Sequence, residues 1–468
     1  MFGHTNDPLI LSPLEHAGPR GYVRPILCFA LDPSADQDEV VRILKAGLDA
    51  TKEQVPYLSA EVVEDTEAEQ KGCLTLREGD FGELRVRTLS KEEFPLSYDE
   101  FRAKNFPTDQ LHQDVVSPTS VFPQPGSQVP VFLAQANFVE GGLLLSVAVY
   151  HLVADGFSIC RLLRIWAQSC RKLQDPDSTS TVFLSSSAFE RAPLVVGHLS
   201  DPDKCDIADH PELVLTDMPP INRMPSTARR YRTHVWHLSP SALQRLRHDA
   251  SAGPGRKVSA ADALTALIWR ATVAAQQHDA SAADTETAAP AASILTIPVA
   301  SRARTFPPLA PDYMGCPLVY ANPTHALAEI VAAADAADAV LPALARKVKA
   351  AVDAVTPHYV STVVNMFNKV PDYACLAPAS FAGLAGPHAM VSSWEKYDAY
   401  AEDWGSLFGG RCDRWRTVSE GMMNGVQLVL PALPGKEGGV EVAMGLEEGR
   451  VEVLARDEVW TRYAMRVD

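Results

Sequence analysis

Residues 129–173 constrain the fold of this chain more tightly than any other stretch of its sequence. The run VPVFLAQANFVEGGLLLSVAVYH contains two β-rich segments joined through Glu140-Gly141-Gly142, a pattern that predicts a β-hairpin. The run GFSICRLLRIWAQSCRKL follows at once, and its apolar residues recur at the spacing of one helix face. A hairpin that leads into an amphipathic helix predicts a mixed α/β fold.

His151 is the last residue of the second predicted strand, at its junction with the helix. Strand ends and loops commonly present side chains to a cleft, and an imidazole with a pKa near ~6.5 suits a general base. Asp155 follows four residues later, where it could polarise the imidazole or form a structural ion pair elsewhere. Gly156 suits a tight bend. Taken alone, the pattern H-x-x-x-D-G favours a structural role over a catalytic one.

The length of 468 residues exceeds what one hydrophobic core usually fills, so it predicts roughly two to three domains. Residues 186–230 lie in a stretch that is rich in Pro, Asp and Ser and has weak periodicity, which indicates a crossover between two halves. We therefore expect an N-terminal domain over residues 1–185 and a C-terminal domain over residues 231–468.

Three local patterns predict further elements. CLTLREGDFGELRVRTL, residues 73–89, alternates apolar and polar residues around a Gly-Asp turn, which predicts a second hairpin. YRTHVWHLS, residues 231–239, predicts the strand that begins the second half. VSAADALTALIWRATVAAQ predicts a helix with Ser259 as its N-cap, and Asp262 completes a capping box.

Composition and charge argue against several classes of function. The formal net charge of -16 disfavours a nucleic-acid-binding surface, which needs clustered Lys and Arg. No apolar run approaches the ~20 residues that span a bilayer, and the N-terminus lacks the apolar core of a secretory signal. The eight cysteines form no C-x-x-C pair, so we expect free thiols in a reducing compartment and no zinc site. These features predict a soluble, cytoplasmic protein.

A second unusual segment lies far away in the sequence. VSSWEKYDAYAEDWGSLFG, residues 391–409, carries Trp394 and Trp404 on either side of two tyrosines, and Asp403-Trp404-Gly405 begins a glycine-rich turn. An aromatic core segment with a turn explains the tryptophans, but it explains the full spacing less well. The segment therefore supports a functional interpretation of H-x-x-x-D-G.

Together, HLVADG and DWGSLFG resemble the two motifs of the BAHD family of acyl-CoA-dependent acyltransferases, and the fungal branch more than the plant branch. Other segments are similar to the family pattern, in the same order, along nearly the whole chain: VPYLSAEVV, FLAQANF, VSAADALTALIWRA, SRARTFPPLAPDYMGC and NGVQLVLPAL. Four residues depart from the pattern: Tyr150, Trp404, Ser406 and Cys316. Cys316 stands where the family has asparagine, so the turn lacks that amide.

The resemblance implies an α/β (α+β) fold of two similar-sized, chloramphenicol-acetyltransferase-like domains. Each would be a mixed β-sheet flanked by helices, with a solvent channel between them. In that channel His151 would be the general base, whereas Asp155 would point away and pair with Arg302. Ser392 and Trp394 would donate hydrogen bonds to the oxyanion or position the substrate. The remaining motif residues would be structural: Gly156, Asp403, Trp404 and Gly405.

The reaction that the resemblance implies moves an acyl group, acetyl by default, from acyl-CoA to a small-molecule secondary metabolite. The acceptor group would be a hydroxyl, or secondarily an amine. The reaction needs no covalent acyl-enzyme, no permanently bound cofactor and no metal, and neither nucleic acid nor membrane is a partner. The enzyme is expected to be a monomer. Two alternatives stay open: a condensation-type domain that uses carrier-bound thioesters, and an inactive binding protein of the same fold.

Overall fold

Two mixed β-sheets organise the protein. The computed structural model describes residues 7, 9–32, 34–178, 182–217, 219, 231–253, 257–278, 291–332, 334–384, 386–435 and 438–467. The helices are α1 (Gln37–Gln54), α2 (Tyr98–Ala103), α3 (Gln113–Val116), α4 (Gly156–Gln174), α5 (Pro240–Ala250), α6 (Ala260–Gln277), α7 (Leu327–Ile330), α8 (Ala334–Asp353), α9 (Pro357–Phe367), α10 (Arg450–Ala455) and α11 (Glu458–Thr461). The strands are β1 (Tyr22–Val23), β2 (Pro25–Ala30), β3 (Ala60–Glu64), β4 (Leu74–Glu78), β5 (Leu84–Thr88), β6 (Phe132–Val139), β7 (Gly142–Tyr150), β8 (Leu213–Leu215), β9 (Tyr231–Leu238), β10 (Ala292–Ala300), β11 (Leu318–Ala321), β12 (Thr324–Ala326), β13 (Leu376–Pro378), β14 (Ala389–Ser393), β15 (Arg414–Thr417), β16 (Val426–Val429), β17 (Val440–Glu447) and β18 (Met465–Arg466).

The first sheet is built around the hairpin predicted at residues 129–151, which is confirmed as β6 and β7. These strands pair antiparallel from Phe132 opposite Val149 to Val139 opposite Gly142. The strand order is β15-β2-β7-β6-β5, and β1 also pairs with β7. Because β5 runs parallel to β6 while β15, β2 and β7 pair antiparallel, the sheet is mixed.

The second sheet has the strand order β11-β10-β14-β16-β17-β9-β18, and β12 also pairs with β10. β10, β14 and β16 run parallel, whereas β9 pairs antiparallel with β17 along its full length. The strand predicted at residues 231–239 is confirmed as β9, and the capping box of Ser259 and Asp262 is present at the start of α6.

Helices flank both sheets and bury their apolar faces there. In the first half, α1 packs on α4, where the indole N–H of Trp166 donates to the carbonyl of Leu44 at 3.0 Å. In the second half, α5, α6 and α8 pack together over apolar residues of β9 and β17. The predicted α/β architecture of two mixed sheets flanked by helices is therefore confirmed.

The hairpin predicted at residues 73–89 is wrong. The two strands exist as β4 and β5, but β4 pairs with β3, and β5 pairs with β6. Parallel pairing with β6 makes β5 part of the larger first sheet, whereas β4 and β3 form a separate two-stranded sheet. The alternation of residues thus identified the strands correctly but not their partners.

The division of the chain at residues 185 and 231 stays a prediction. Strand β15 lies within the predicted C-terminal range, yet it pairs with β2 in the first sheet. The predicted crossover contributes β8, which pairs with β13, and the buried side chain of Arg191. Residues 218 and 220–230 of the crossover lie outside the described residues.

Candidate active site

His151 follows directly on β7 and lines a cavity between the two sheets. Its backbone N–H donates to the carbonyl of Gly21 at 2.8 Å, which fixes the chain where the strand ends. The cavity has a volume of ≈ 220 Å³. Tyr22 and Trp415 of the first sheet line one side, and Met390 and Leu428 of the second sheet line another. The cavity therefore lies between the two sheets, where the family resemblance implies a solvent channel.

The wall of this cavity is mainly apolar. Its apolar members come from several loops as well as from both sheets: Val121, Phe122, Leu318, Phe381, Met390, Met422, Met423, Val426, Leu428 and Leu430. Polar residues also line the cavity, among them Ser392 and Tyr397. Such surroundings strengthen any hydrogen bond or charge interaction with a bound substrate, because little water screens it.

The electrostatic environment keeps the His151 ring neutral. Burial lowers its pKa below the ordinary value, although hydrogen bonds to the backbone at His151 and Ala154 and the charge of Asp155 act in the opposite direction. A neutral imidazole has one ring nitrogen free to accept a proton. On the Nδ1 side, the sulfur of Cys316 lies 3.9 Å away. His151 is thus in the protonation state that a general base requires at pH 7.

The carboxylate of Asp155 binds Arg302 and the first turn of α4. It accepts hydrogen bonds from Arg302 at 2.5 and 2.7 Å, and it accepts from the backbone N–H of Ser158 at 3.0 Å. Asp155 is 2% exposed and Arg302 is 9% exposed, so the ion pair is almost dry. Of the two roles that spacing left open for Asp155, the geometry shows the structural ion pair.

Gly156 allows α4 to begin directly against the indole of Trp394. A Cβ at position 156 would lie 2.5 Å from Cε2 of that indole. Ser392, the second-last residue of β14, and Trp394, just beyond the strand, line the same cavity as His151. The structure therefore brings the predicted base and both predicted hydrogen-bond donors to one space, while their roles in the reaction stay predictions.

Asp403, Trp404 and Gly405 are not among the residues that line this cavity. Trp404 is buried and packs edge to face on Trp166 of α4, with ring centroids 5.6 Å apart. Asp403 forms an ion pair with Arg171 of the same helix and accepts a hydrogen bond from the N–H of Gly405. In position and contacts, this segment braces α4 from outside the cavity.

Glu15 and Arg191 form a buried ion pair beside the site, which the sequence motifs do not predict. The Glu15 carboxylate also accepts hydrogen bonds from the Tyr313 hydroxyl and the Cys316 backbone, in the turn next to His151. The one signal in the sequence was a carboxylate within the otherwise mostly apolar run LSPLEHA, and that signal does not identify a partner.

In the described ranges, His, Cys, Asp and Glu side chains do not gather in groups of three or more that could hold a metal ion. None of the helices in those ranges combines the length and the apolar character that crossing a bilayer requires. No disulfide joins any of the eight cysteines, all of which lie in the described ranges.

The sequence matches the pattern of one protein family over nearly its whole length. The family is described as the Transferase family, and the match covers residues 4–459. Acyltransferase easC of Emericella nidulans is 26% identical over 490 residues, which span 98% of this chain and 95% of that protein. The isocyanide synthase-NRPS hybrid crmA of Aspergillus fumigatus is also 26% identical, but this chain spans only 31% of that protein.

A solved structure shares the fold. The structure of TRI101 of F. graminearum, complexed with coenzyme A and deoxynivalenol, has a TM-score of 0.81 to this chain at 20% sequence identity, covering 98% of this chain and 99% of that one. The fold, the site geometry and the family match over residues 4–459 agree. The chain belongs to the Transferase family and is an acyltransferase of the BAHD type.

Proposed function

We propose that this enzyme transfers an acyl group, acetyl by default, from acyl-CoA to a hydroxyl of a small-molecule secondary metabolite, with His151 as the general base. The observation that carries the proposal is the position of His151, a neutral imidazole in a cavity walled by both sheets. Ser392 and Trp394 line the same cavity, so a base and two hydrogen-bond donors surround one space.

In the proposed reaction, the acceptor hydroxyl gives its proton to His151 as its oxygen attacks the thioester carbonyl carbon. The carbonyl oxygen becomes an oxyanion, to which Ser392 and Trp394 donate hydrogen bonds. In related chemistry each such donor contributes about 2.7–4 kcal/mol. When the C–S bond breaks, the protonated imidazole returns the proton to the coenzyme A thiolate. The products are an ester and a free thiol, and His151 is neutral again.

Direct transfer requires no acyl-enzyme, and the thiol beside His151 is unsuited to form one. Cys316 is fully buried and is not among the residues that line the cavity. Burial raises the pKa of its thiol well above the ordinary value, with the charge of Asp155 adding to the effect. Because the thiolate is the nucleophilic form of cysteine, we expect no covalent intermediate at Cys316.

The apolar wall favours an acceptor with an apolar skeleton and few polar groups. Each Å² of apolar surface that such a molecule buries contributes about 25 cal/mol to binding. The TRI101 structure contains deoxynivalenol together with coenzyme A, which makes that alcohol a suitable first acceptor to test. A panel of hydroxylated terpenoids and polyketides would extend the search.

The decisive variant is His151→Ala, assayed by release of free thiol from acetyl-CoA in the presence of the acceptor panel. We expect turnover to fall by about 10²–10⁴-fold, the usual contribution of general base catalysis, with no change in Tm. His248→Ala is a matched control, because His248 is exposed on α5, away from the cavity, and should keep full activity. Near wild-type transfer by His151→Ala would overturn the proposal.

A second donor class has one observation in its favour, the similarity of this chain to part of the hybrid synthase crmA. Carrier-bound thioesters would replace acyl-CoA in that case. Parallel assays with acetyl-CoA and with an acetyl-loaded carrier protein distinguish the two donors. We expect faster transfer from acetyl-CoA. The absence of thiol release from either donor, with all acceptors, would instead favour an inactive binding protein.

We also propose that the enzyme is a cytoplasmic monomer. The lack of a disulfide among the eight cysteines of the described ranges supports a reducing compartment, where disulfides are rare. Size-exclusion chromatography with light scattering should give a mass near the 50.8 kDa of one chain. A stable mass of twice that value would contradict the monomer, and cell fractionation tests the compartment.

A further inference from the structure

Buried hydrogen bonds attach the 313–316 turn to the start of α4, a few residues after His151. The carbonyl of Gly315 accepts hydrogen bonds from Ser158 Oγ at 2.9 Å and from Arg302 Nη2 at 3.1 Å. Ser158 lies in the first turn of α4, directly after the segment that begins with His151. One side of the turn is therefore fixed to the ion pair of the site.

The opposite side of the turn is held by the carboxylate of Glu15. Its Oε1 accepts hydrogen bonds from the Tyr313 hydroxyl at 2.7 Å and from the backbone N–H of Cys316 at 3.2 Å. Its Oε2 accepts from the backbone N–H of Ser12 at 2.8 Å and from Arg191 Nε at 2.9 Å. Oε2 also accepts from the hydroxyl of Ser12 at 3.0 Å. Both oxygens of one carboxylate are thus occupied, and two of the five bonds reach the turn.

Glu15 remains charged in this environment. It is 0% exposed and Arg191 is 1% exposed. Burial alone would raise the pKa of Glu15, but the Arg191 guanidinium and the hydrogen bonds from Ser12 and Tyr313 hold it below its ordinary value. Displacing any of these donors would leave a buried charge short of a partner, which is costly. The carboxylate therefore fixes the position of the turn firmly.

Cys316, the last residue of the turn, lies against the imidazole. Its sulfur is 3.9 Å from Nδ1 of His151. The chain also passes close to this sulfur at Gly18, where an added Cβ would lie 3.1 Å from it. Since the sulfur is fully buried between these groups, it has little room to withdraw from the ring.

We propose that Glu15 and Cys316 are positioning residues for acyl transfer. Glu15 fixes the 313–316 turn, and Cys316 in turn limits the movement of the His151 ring by contact on its Nδ1 side. The inference rests on the proposed role of His151 as the general base. A ring held in this way presents its Nε2 to the acceptor in one orientation, and a displacement of 1 Å at such a site can cost about 10²-fold in rate.

Cys316→Ala tests the contact with the ring, because it removes the sulfur and leaves the Glu15 network in place. We expect kcat to fall by about 10-fold or more while KM for acetyl-CoA stays unchanged. The acid limb of the pH–rate profile should move up toward the ordinary imidazole pKa, since the ring loses part of its burial. Cys316→Ser restores a side chain of similar size and should recover most of kcat.

Glu15→Gln tests the anchor of the turn. It keeps the shape of the side chain but removes the negative charge that pairs with Arg191. We expect both Tm and kcat to fall. The matched control is Asp457→Asn in the ion pair of Asp457 and Arg270, which joins α11 to α6 outside the site. Asparagine also caps helices well, so the control removes only the charge. It should lower Tm but leave kcat and the pH profile unchanged.

A second measurement needs no substrate. The ¹⁵N chemical shifts of the His151 ring, assigned by comparison with His151→Ala, report its tautomer and titration directly. We expect these shifts to change in both Cys316→Ala and Glu15→Gln.

Two results would overturn the inference: wild-type kcat, pH profile and ring shifts in Cys316→Ala, or a Glu15→Gln variant that differs from wild type only in Tm, as the Asp457→Asn control should. If Glu15→Gln fails to fold, Cys316→Ala still tests whether contact with the sulfur positions the His151 ring. Failure of the proposed function itself would be seen elsewhere, as retained activity in His151→Ala.

Discussion

At the scale of single residues, Asp155 combines two structural functions in one side chain. It caps α4 through the N–H of Ser158 and forms a buried ion pair with Arg302. A buried ion pair gains little over an apolar pair, but the loss of one partner is expensive because the other charge stays behind without compensation. The two functions of Asp155 can therefore be separated by substitution.

Asp155→Asn should keep the helix cap, since asparagine caps as well as aspartate, but it should lose the ion pair. We expect the free energy of unfolding to fall by about 3–5 kcal/mol, measured by urea denaturation. The double variant Asp155→Asn/Arg302→Met also removes the unpaired charge and should recover part of the loss. A loss below about 1 kcal/mol in the single variant would show that this ion pair stabilises the fold no more than an exposed surface pair does.

A second buried side chain, His16, affects the stability of the protein at low pH. Its Nε2 accepts a hydrogen bond from the N–H of Leu74 at 2.9 Å, and its Nδ1 lies 3.0 Å from the carbonyl of Ser12. Burial and the nearby charge of Arg20 lower its pKa to about 4. The folded protein therefore holds this ring in the neutral form well below pH 6.

The unfolded chain binds a proton at His16 below pH ~6.5, whereas the folded chain binds it only near pH 4. The His16 contribution therefore lowers the stability of the protein as the pH falls between these values, by about 3 kcal/mol in total. His16→Gln should make Tm less dependent on pH over this range. Identical Tm-against-pH curves for the two proteins would assign the acid sensitivity to other groups.

The residues that sequence identified lie in short motifs, and the residues that it missed do not. His151, Asp155 and Gly156 are neighbours in the chain, so their chemistry is visible in the single segment HLVADG, residues 151–156. Glu15 and Arg191 contact each other only because tertiary packing brings together segments that are far apart in sequence. A buried ion pair of this kind has no local periodicity or spacing from which to predict it.

At the scale of elements, the beginning of α4 and the end of β14 lie unusually close together. A Cβ on Gly156 would lie 2.5 Å from Cε2 and 2.6 Å from Nε1 of Trp394. The indole cannot yield freely, because it also packs edge to face on Trp415 of the first sheet, with ring centroids 5.9 Å apart. Glycine at position 156 is therefore required by close packing.

Gly156→Ala should push α4 and Trp394 apart at the point where the base and a predicted oxyanion donor meet. We expect a loss of about 1–3 kcal/mol in stability, as for other overpacked sites, and a fall in kcat of about 10²-fold. Gly386→Ala is the matched control, because its added Cβ would have its nearest neighbour at 3.4 Å. Wild-type kcat in Gly156→Ala would show that the junction tolerates the displacement.

Strands were easier to predict than their partners. The alternation at residues 73–89 correctly indicated two strands, and the hairpin at residues 129–151 was correct because a short Gly turn joins its strands. Between β4 and β5, by contrast, Gly82 comes so close to the carbonyl of Leu58 that an added Cβ would lie 2.4 Å from it. The connection is thus packed on another segment, a tertiary contact that local sequence does not reveal.

At the scale of the whole molecule, the second half of the chain completes the first sheet. Strand β15 pairs with β2 from Arg414 opposite Cys28 to Thr417 opposite Pro25. Arg416 in this strand forms a buried ion pair at 2.7 Å with Glu441 of β17, which belongs to the second sheet. One strand therefore links both sheets, so neither half contains all the contacts of its own core.

This arrangement predicts that residues 1–230 and 231–468 do not fold separately. Without β15, the first fragment exposes the edge of β2 and the apolar cluster that Val418 joins, a combination that promotes aggregation. We expect each fragment alone to be insoluble or to lack a cooperative thermal transition, and the two co-expressed fragments to form an active complex. A version of 1–230 that carries residues 411–421 on a flexible Gly/Ser linker should be more soluble than 1–230, because the missing strand is restored. A cooperative transition in unmodified 1–230 would show that the first half is an independent domain.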